Sequence, residues 1–364
     1  MMLFLVCLSF SFIVFQLMNV IVNCLFRQKI RHSNSSTMEI ISILIPARDE
    51  EQNIELLLSD LRKIDDCEVE IIVFDDQSSD STADIVRRIS LKDNRVRLYQ
   101  STGLPEKWLG KNYACYQLSQ RARGQYLLFL DADVRVEASI VNDAVRYMKK
   151  HRLGLMSVFP KQIQMSFGER VTVPIMNYIL LTLLPLIFVR VSPFSSHSAA
   201  NGQFMLFDNE VYRANDPHRQ FAMSAVEDIQ IARYLKNKKE KVACVTGEDR
   251  IRCRMYHSYK EAINGFTKNV FMFFGNKAVL AIAFWGLAAL GFIPVMLYSL
   301  GLLGLYIALV VLIQILYSLA CGQNFLKNIE LFPLQLLFLI NVIIISLKQR
   351  RNKKYLWKDR NVYS

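Results

Sequence analysis

The chain has 364 residues, 52% of them hydrophobic, and its 44 Lys and Arg against 32 Asp and Glu give a formal net charge of +12. This length accommodates one large or two modest domains with a core of useful size. The seven cysteines are odd in number and form no CxxC pair, and the five histidines show no metal-ligand spacing, so neither a disulfide framework nor a zinc site is indicated.

Three long apolar runs predict a membrane protein. They are Met1 to Phe26, which is nearly uncharged, and two runs without any charge, Ala278 to Cys321 and Leu331 to Leu347. About 20 apolar residues span a bilayer. The first run lacks the preceding basic region and the clear small-residue cleavage site of a secretory signal. We therefore expect an uncleaved anchor at 1–26 and a membrane region at 278–347.

The positive charge is concentrated beside these runs. Arg27, Lys29 and Arg31 follow the first run, and the stretch KQRRNKKYLWKDR follows the last. Because cytoplasmic flanks of membrane helices collect Lys and Arg, we expect a multi-pass protein of the cell membrane with a cytosolic middle domain and a basic cytosolic tail at 348–364. Anionic lipid headgroups, rather than nucleic acid, are the expected partner of this charge.

The number of membrane crossings stays open. If Ala278 to Cys321 forms a hairpin of two helices, the last run crosses outward and places the tail on the wrong side, so either the last run is re-entrant or the long run crosses once. The segment 258–277 is expected to be an interfacial helix. The segment 173–191 is expected to be interfacial or re-entrant, because a crossing there would separate polar motifs before and after it, and Pro174 and Pro185 favour a broken helix.

Strand and helix patterns alternate after the anchor. Apolar stretches predict four strands, with helical patterns after the first three: EIISILIPA, EVEIIVFDD, RVRLYQ and YLLFLDADV. This alternation predicts an α/β domain at 38–257, with a mainly parallel sheet and flanking helices. Ligands bind at the carboxyl ends of the strands in such sheets. The chain has no GxGxxG or GxxxxGK[ST] loop, which argues against a dinucleotide fold or a P-loop.

Asp131 and Asp133 directly follow the fourth predicted strand. Carboxylate oxygens suit Mg or Mn, and such ions bind through one or two carboxylates together with substrate phosphates. The alternative is a solvated loop with two surface acids. The metal site is favoured because the pair follows a buried strand and shares its edge of the sheet with two other polar strand ends.

Asp75 and Asp76 follow the second predicted strand in the same manner. A carboxylate there accepts hydrogen bonds from a base or a ribose. The alternative role is to cap the next helix, but Ser79 or Asp80 fills that role better by position. We therefore favour a ligand-binding role for Asp75 or Asp76.

Two basic residues are candidates for phosphate contacts. Arg48 comes just after Pro46, which ends the first predicted strand, so its side chain is available to a phosphate or a base. Lys111, in KWLGKNYAC, lies in a loop expected to reach over the same edge of the sheet and pairs with a phosphate as a point charge. A solvated surface lysine is the alternative for Lys111.

Four motifs in this order resemble the membrane-bound family-2 glycosyltransferases of the GT-A fold: ILIPARDEEQNI, VFDDQSSDST, FLDADV and VEDIQIAR. The resemblance covers roughly Ile40 to Phe274. KWLGKNYAC and RMYHSYKEAINGFTKN further resemble the branch that includes hopanoid-associated and carotenoid (diaponeurosporenoate) glycosyltransferases.

The resemblance implies a role for each motif. It implies uridine contacts at the first two strand ends by Pro46, Ala47, Glu50 and Asp75 or Asp76. It implies a metal and diphosphate site at Asp131 and Asp133, and a catalytic base at Asp228. We assign three further residues to the nucleotide-sugar site: Ala132, Lys111 and Arg254.

The acceptor site is expected around Asn201, Gly202, Glu227 and Tyr256. Gly202 permits close approach of a sugar or an acceptor because it has no side chain. Glu227 also suits a helix N-terminus, where the helix dipole stabilises an acid, and both roles can hold together. Processive family members carry a QxxRW motif, which this chain replaces with CRMYHS.

The expected function is an inverting, metal-dependent transfer of a sugar from a nucleotide sugar, with UDP-sugars first among the donors, to a membrane lipid or carotenoid-type acceptor. One alternative is a processive polysaccharide synthase, which the missing tryptophan motif argues against. Another is a catalytically silent nucleotide-binding membrane subunit, which the presence of the metal acids and the base argues against.

Overall fold

The computed structural model describes residues 1–33 and 38–351, together with the backbone of 356–357 and 360–361, so most of the predicted basic tail lies outside the described residues. The chain forms two compact units. We call them the sheet unit, which comprises 28–161 and 186–254, and the helical unit, which comprises 1–27, 162–185 and the described residues from 255 onward.

The sheet unit is built on one mixed sheet. Its strands in the described ranges are β1 (Ile41–Ala47), β2 (Val69–Asp75), β3 (Val96–Gln100), β4 (Tyr126–Leu130), β5 (Val134–Val136), β6 (Leu155–Gln162), β7 (Phe204–Asp208) and β8 (Val242–Cys253). They lie in the order β3-β2-β1-β4-β7-β6-β8-β5. Strands β1 to β4 are parallel, whereas β7 runs antiparallel to β4. The predicted α/β fold is therefore confirmed, but the sheet is mixed rather than mainly parallel, because β7 pairs antiparallel with β4 and β6, and β5 pairs antiparallel with β8.

The burial of the strands explains this arrangement. All five residues of β4 are buried, as are six of the seven residues of β1, so both strands are covered on both faces. Continuous apolar runs of this kind are typical of parallel strands between two layers of helices. The helices of the sheet unit are α2 (Ile54–Leu61), α3 (Thr82–Ser90), α4 (Gly110–Arg121), α5 (Ser139–His151), α8 (Ile187–Val191), α9 (Asn209–Asn215), α10 (Pro217–Gln220) and α11 (Glu227–Asn237).

The helical unit contains the long apolar helices. Its elements are α1 (Met2–Leu25), α6 (Phe167–Thr172), α7 (Pro174–Leu183), α12 (Tyr259–Asn269), a 3-10 helix (Val270–Phe274), α13 (Ala278–Leu290), α14 (Phe292–Tyr298), α15 (Leu300–Ala320) and α16 (Phe325–Arg351), followed by the short paired strands β9 (Leu356–Trp357) and β10 (Arg360–Asn361). Three of the described helices, α1, α15 and α16, are long and apolar enough to cross a membrane. The segment of α12 and the 3-10 helix meets α13 at a bend of 96°.

The helix boundaries differ from the apolar runs seen in the sequence. The run from Ala278 to Cys321 contains three helices, of which only α15 is by itself long and apolar enough to cross a membrane, and α16 extends the last run to 27 residues. A Cβ atom on Gly291 would clash with the Leu287 backbone carbonyl and would lie 2.7 Å from the Tyr306 hydroxyl, so the junction between α13 and α14 requires a residue without a side chain.

Helix α1 is joined to α7 by neutral polar side chains. The Asn19 amide donates to the carbonyl of Thr182 at 2.8 Å, and the Asn23 amide donates to the carbonyls of Leu181 and Leu184 at 2.9 and 3.0 Å. Pro185 cannot continue α7, so the last carbonyls of that helix need other donors. Asn23 therefore caps the broken end of α7.

Candidate active site

The candidate site lies at the carboxyl edge of the parallel strands. Because β7 is antiparallel to β4, the residues that enter β7 lie beside the acids that leave β4. The Asp131 amide donates to the Gln203 carbonyl at 3.1 Å. The second strand end also meets the first, since the Asp76 amide donates to the Ala47 carbonyl at 2.8 Å.

The loops after β1 and β2 hold each other in place. The Asp49 amide donates to the Ser78 hydroxyl at 2.9 Å, the Glu50 amide donates to the Thr82 hydroxyl at 2.7 Å, and an Arg48 guanidinium nitrogen donates to the Asp76 carbonyl at 3.1 Å. These contacts fix the two predicted nucleotide-binding strand ends against each other.

Asp75 and Asp76 do not cap α3. At the start of that helix the Thr82 amide donates to the Asp80 carboxylate at 2.9 Å, as expected from position. Asp75 is only 2% exposed and accepts from the Ser78 amide at 3.3 Å and from the Gln100 side chain at 3.4 Å. Helix capping therefore does not account for the two acids at the end of β2.

We call Asp131 and Asp133 the DxD acids, and Lys111 is paired with the first of them. Its ammonium lies 2.7 Å and 2.9 Å from the two Asp131 carboxylate oxygens and 3.8 Å from Glu227. Burial disfavours the ammonium, but the Asp131 and Glu227 carboxylates outweigh burial and raise the pKa of Lys111 above its usual value. Lys111 is thus a paired cation inside the cluster rather than a solvated surface lysine.

Asp133 has an unsatisfied oxygen that suits a cation. Among the described residues, its Oδ1 atom is buried without a hydrogen-bond partner. Burial, together with the nearby Asp131 and Glu50 carboxylates, raises the pKa of Asp133 to about 7. A divalent cation would satisfy the oxygen and neutralise this repulsion, so Asp131 and Asp133 fit a metal.

The remaining ligands of such an ion would come from the substrate. In the part of the chain that the structure describes, no group of three or more His, Cys, Asp or Glu side chains could hold a metal. Mg and related hard cations commonly bind through one or two carboxylates plus the phosphates of a substrate.

Gln203, which the sequence did not single out, supports both acids. Its carbonyl accepts from the Asp131 amide, and its side-chain amide donates to the Cys253 sulfur at 2.8 Å. The Cys253 thiol in turn hydrogen-bonds Asp133. The Gln203 amide donates to the Asn201 side chain at 2.8 Å, which holds the turn before β7. Only the position of Gln203 next to the predicted Asn201 and Gly202 hinted at this role.

The predicted base joins the same cluster. Asp228 lies in the first turn of α11, where its carboxylate accepts from the Gly202 amide at 3.0 Å and from the Ile229 amide at 2.7 Å. Burial raises the pKa of Asp228, although both amide hydrogen bonds oppose the rise. Burial also raises the pKa of Glu227 to about 7, which the nearby Lys111 ammonium moderates.

Gly202 lies close to both Lys111 and Glu227. A Cβ atom there would lie 3.1 Å from the Lys111 ammonium and 3.4 Å from a Glu227 carboxylate oxygen. The turn Asn201-Gly202-Gln203 thus connects the DxD acids to the predicted base. Gln203 contacts Asp131, and the Gly202 amide donates to Asp228.

The remaining predicted residues lie outside this cluster or next to it. Ala132 is buried between the two acids, and Arg254 directly follows β8. Tyr256 belongs to the helical unit, where its ring packs on Phe266 with the centroids 5.2 Å apart and its hydroxyl occupies the space that a Cβ atom on Gly265 would need. A role for Tyr256 in acceptor binding stays a prediction.

Comparisons with known proteins agree with the motifs. The sequence model of "Glycosyl transferase family 2" matches residues 42–213. The chain is 29% identical over 238 residues to the 4,4'-diaponeurosporenoate glycosyltransferase of Staphylococcus haemolyticus, covering 64% of this chain and 62% of the relative. It is 27% identical over 338 residues to the protein of the same name from Staphylococcus aureus (strain USA300), covering 88% and 87%.

A solved structure shares the fold. It is the mannosyltransferase PcManGT from Pyrobaculum calidifontis in complex with GDP-Man and Mn2+, with a TM-score of 0.57 and 14% identity over 94% of this chain and 99% of that chain. The resemblance read from the motifs is therefore confirmed: residues 42–213 match glycosyltransferase family 2, the fold is GT-A, and the chain is homologous to the 4,4'-diaponeurosporenoate glycosyltransferases at 27% to 29% identity.

Proposed function

We propose that the chain transfers a sugar, with inversion at the anomeric carbon, from a nucleoside diphosphate sugar to a membrane lipid or a carotenoid acid. A UDP-sugar is the expected donor. The observation that carries the proposal is the turn at 201–203, which joins the DxD acids to Asp228 through the Gln203 carbonyl and the Gly202 amide. The names of the staphylococcal relatives support a carotenoid acid as the acceptor.

Asp131 and Asp133 would hold a divalent cation, Mg or Mn, against the donor diphosphate. Such an ion neutralises the negative charge that grows on the leaving diphosphate. The solved relative with Mn2+ and GDP-Man supports this assignment. Lys111 adds a positive charge beside Asp131, which lowers the repulsion that two acids present to an incoming diphosphate, and Arg254 is assigned to the same phosphates.

The nucleoside would bind at the ends of β1 and β2. We assign it to Pro46, Ala47, Arg48 and Glu50 on one side and to Asp75 and Asp76 on the other. The hydrogen bonds between the two loops support this assignment because they hold the two sides at a fixed spacing. Pre-organised loops of this kind lower the entropy cost of binding.

Asp228 would act as the general base for a hydroxyl acceptor. A buried carboxylate with a raised pKa accepts a proton more readily than a solvated one, and a positioned base contributes about 100-fold to 10,000-fold to a rate. The direct attack on the anomeric carbon inverts its configuration. Asn201, Gly202, Glu227 and Tyr256 are assigned to the acceptor.

The chemistry of the acceptor decides how much Asp228 contributes. A hydroxyl must lose its proton as it attacks, so transfer to a hydroxyl requires a base. A carboxyl acceptor is already ionised near neutral pH because its pKa is about 4. Asp228→Asn should therefore slow transfer to a hydroxyl far more than transfer to a carotenoid acid.

The three candidate spans account for the positive flanks. If α1, α15 and α16 cross once each and the segment from α12 to α14 does not cross, the sheet unit and the end of α16 lie on the same side. Arg27 then shares a side with Lys348, Arg350 and Arg351. By the excess of Lys and Arg, that side is the cytosol, so we propose a cytosolic active site on a protein of the cell membrane.

Nucleotide release from the detergent-purified full chain tests the proposal. The donors are UDP-glucose, UDP-N-acetylglucosamine, UDP-galactose and GDP-mannose, each with Mg or Mn and with or without extracted membrane lipid or a long-chain polyene carboxylic acid. We expect metal-dependent release from one donor that rises with one acceptor. No release from any donor by protein that still binds nucleotide would overturn the transferase and favour the silent subunit.

A further inference from the structure

The sheet unit exposes an apolar patch that the proposed chemistry does not use. Phe188, Val191 and Phe194 are 38%, 61% and 65% exposed. The His197 ring lies beside both phenylalanines, with centroid distances of 5.5 Å to Phe188 and 6.0 Å to Phe194. We call the exposed side chains of Phe188, Val191 and Phe194 the apolar patch.

A buried lysine fixes the backbone beneath the patch. Lys236, on α11, is 6% exposed, and its ammonium donates to the carbonyls of Val189 at 3.0 Å and His197 at 2.8 Å. A third carbonyl, that of Phe188, lies at 3.4 Å. Lysines cap the last carbonyls of helices in this manner, here those of α8. The patch is thus a fixed surface and not a loose loop.

Arg190, next to the patch residue Val191 in the chain, contacts the end of α5. The Arg190 guanidinium, within α8, lies 2.5 Å from the ring of His151 at the end of α5. The neighbours of His151 in the chain, Lys150 and Arg152, are exposed. An apolar centre with basic residues around it is the composition of surfaces that bind at membrane interfaces.

The segment that follows α1 lies along the same face of α5. One turn before His151, the Tyr147 hydroxyl donates to the Gln28 side chain at 2.9 Å, and one turn earlier Asp143 accepts from the Ser33 amide at 3.1 Å. Gln28 also donates to the carbonyl of Leu186, just before α8, at 3.1 Å. The segment 28–33 therefore lies on the face of the sheet unit that carries the patch.

Lys29 and Arg31 extend the positive charge along this segment. Both are exposed, whereas Gln28, which precedes Lys29, and Ile30, which lies between the two, are buried. The Ile30 carbonyl accepts from the Arg250 guanidinium at 2.6 Å, so the alternation of buried and exposed side chains is held in place.

We propose that this face of the sheet unit, formed by the apolar patch with Lys150 and Arg152, docks on the surface of an anionic bilayer. Charge complementarity selects this occupant. A second copy of the chain in a two-fold contact would place like cations opposite each other, which is unfavourable. Anionic headgroups instead attract each cation, while the aromatic side chains enter the boundary with the acyl chains. The docking is independent of the sugar and of the acceptor.

Spin-label accessibility in proteoliposomes containing phosphatidylglycerol tests the docking. The label is placed at Phe194→Cys, or at Val191→Cys as a second position, in the full chain with Cys7 replaced by Ala. The matched control is Leu91→Cys, an apolar position that is 85% exposed at the end of α3. We expect the label at 194 to be reached by oxygen and shielded from Ni-EDDA, and the label at 91 to be reached by both.

Two outcomes would overturn the docking. Equal access of Ni-EDDA to positions 194 and 91 would place the patch in water. Dipolar broadening at 194 that disappears on dilution with unlabelled protein would assign the patch to a second copy. Thermal unfolding and nucleotide binding of each labelled protein show that it is folded.

Reversal of the bordering charge tests the lipid headgroups separately. In the double variant Lys150→Glu, Arg152→Glu, we expect Ni-EDDA to gain access to the label at 194. We expect the same gain when the labelled protein with Lys150 and Arg152 is placed in pure phosphatidylcholine. Unchanged shielding in both cases would overturn the role of anionic headgroups.

Discussion

The two units place their polar groups in opposite ways. At the carboxyl edge of the sheet, ionisable side chains crowd together, and one oxygen of Asp133 is left without a partner in the described chain. In α1, α15 and α16, the buried polar side chains among the described residues are uncharged: Ser9, Gln16, Asn19, Asn23, Gln314, Ser318, Asn328, Gln335 and Ser346.

The difference in polar groups follows from the surroundings and the task of each region. Charge in an apolar helix bundle is expensive, whereas amides that satisfy backbone carbonyls stabilise it. A site for a diphosphate and a cation needs carboxylates held in unfavourable proximity, which only the ligand relieves. We therefore expect substitutions at the sheet edge to change activity and metal binding, and substitutions in the helices to change stability.

The largest expected effect is that of Asp228→Asn on transfer to a hydroxyl acceptor. The substitution keeps the shape of the side chain but removes the base, so the rate should fall by about 100-fold to 10,000-fold. Nucleotide affinity should stay unchanged, because Asp228 is not assigned to the donor. Initial rates and nucleotide titrations measure both quantities.

Asp84→Asn is the matched control for this substitution. Asp84 is a surface acid whose side chain is 79% exposed and pairs with Arg87 three residues along α3. The Asp84→Asn protein should transfer the sugar to a hydroxyl acceptor at the same rate as the original chain. Normal turnover of a hydroxyl acceptor by the Asp228→Asn protein would remove Asp228 from the mechanism.

Asp133→Asn should weaken metal-dependent nucleotide binding while it stabilises the metal-free protein at neutral pH. Because burial raises the folded pKa of Asp133 to about 7, above the value of about 4 for an exposed aspartate, the folded state loses stability as the pH rises between these values. The amide does not ionise and avoids this loss. Melting temperatures without metal should therefore differ more at pH 7 than at pH 5.

Nucleotide titrations with and without Mn2+ check the other half of this prediction. Affinity without metal should be similar for both proteins, and only the original chain should gain affinity when Mn2+ is added. An equal gain for Asp133→Asn would argue against the metal assignment, whatever the melting curves show.

Gln203→Leu should lower the affinity for Mn2+ in the presence of a nucleoside diphosphate by about 10-fold to 100-fold, the usual cost of losing a group that orients a metal ligand. The leucine cannot donate to Cys253, so the contact chain to Asp133 is broken. Electron paramagnetic resonance of free Mn2+ measures the affinity without any turnover.

Cys244→Ser is a control for changes in this region of β8. Cys244 is a fully buried thiol on the same strand as Cys253, and the contact of Gln203 is with Cys253. Loss of Mn2+ affinity in Cys244→Ser but not in Gln203→Leu would show that packing of the strand, and not the contact chain, governs the metal site.

The motifs predicted the polar strand ends because a buried strand that stops at an acid leaves a local signal. The α/β fold and the positions of Asp75 and Asp131 follow from such signals, whereas the family and the choice of Asp228 follow from the resemblance of the four motifs. The contact of Gln203 with Cys253 joins residues that are 50 positions apart in the chain. Neither residue type indicates a role by itself, so only the folded arrangement reveals it.

The helical unit was harder to predict for a related reason. An apolar run shows where a helix is compatible with the chain but not where it ends. At the end of α13, a Cβ atom on Gly291 would clash with the Leu287 carbonyl and would lie 2.7 Å from the hydroxyl of Tyr306, which belongs to another helix. Contacts of this kind set the number of helices between 278 and 321 and carry no pattern in the sequence.

The smallest expected effect is that of Asn23→Leu, which tests whether polar groups in the helical unit serve stability alone. The substitution removes both hydrogen bonds to the end of α7. Interhelical hydrogen bonds in membranes contribute about 0.6 kcal/mol each, so the loss should be about 1 kcal/mol. Nucleotide affinity and turnover should not change.

Thermal unfolding in detergent, read together with nucleotide affinity, separates the two regions. Asn19→Leu is the graded control, since Asn19 gives one such bond to Thr182 and should lose about half as much stability. If either leucine variant kept its stability but lost turnover, the amides of α1 would serve the reaction. The assignment of catalysis to the sheet edge and of stability alone to the polar groups of the helical unit would then be wrong.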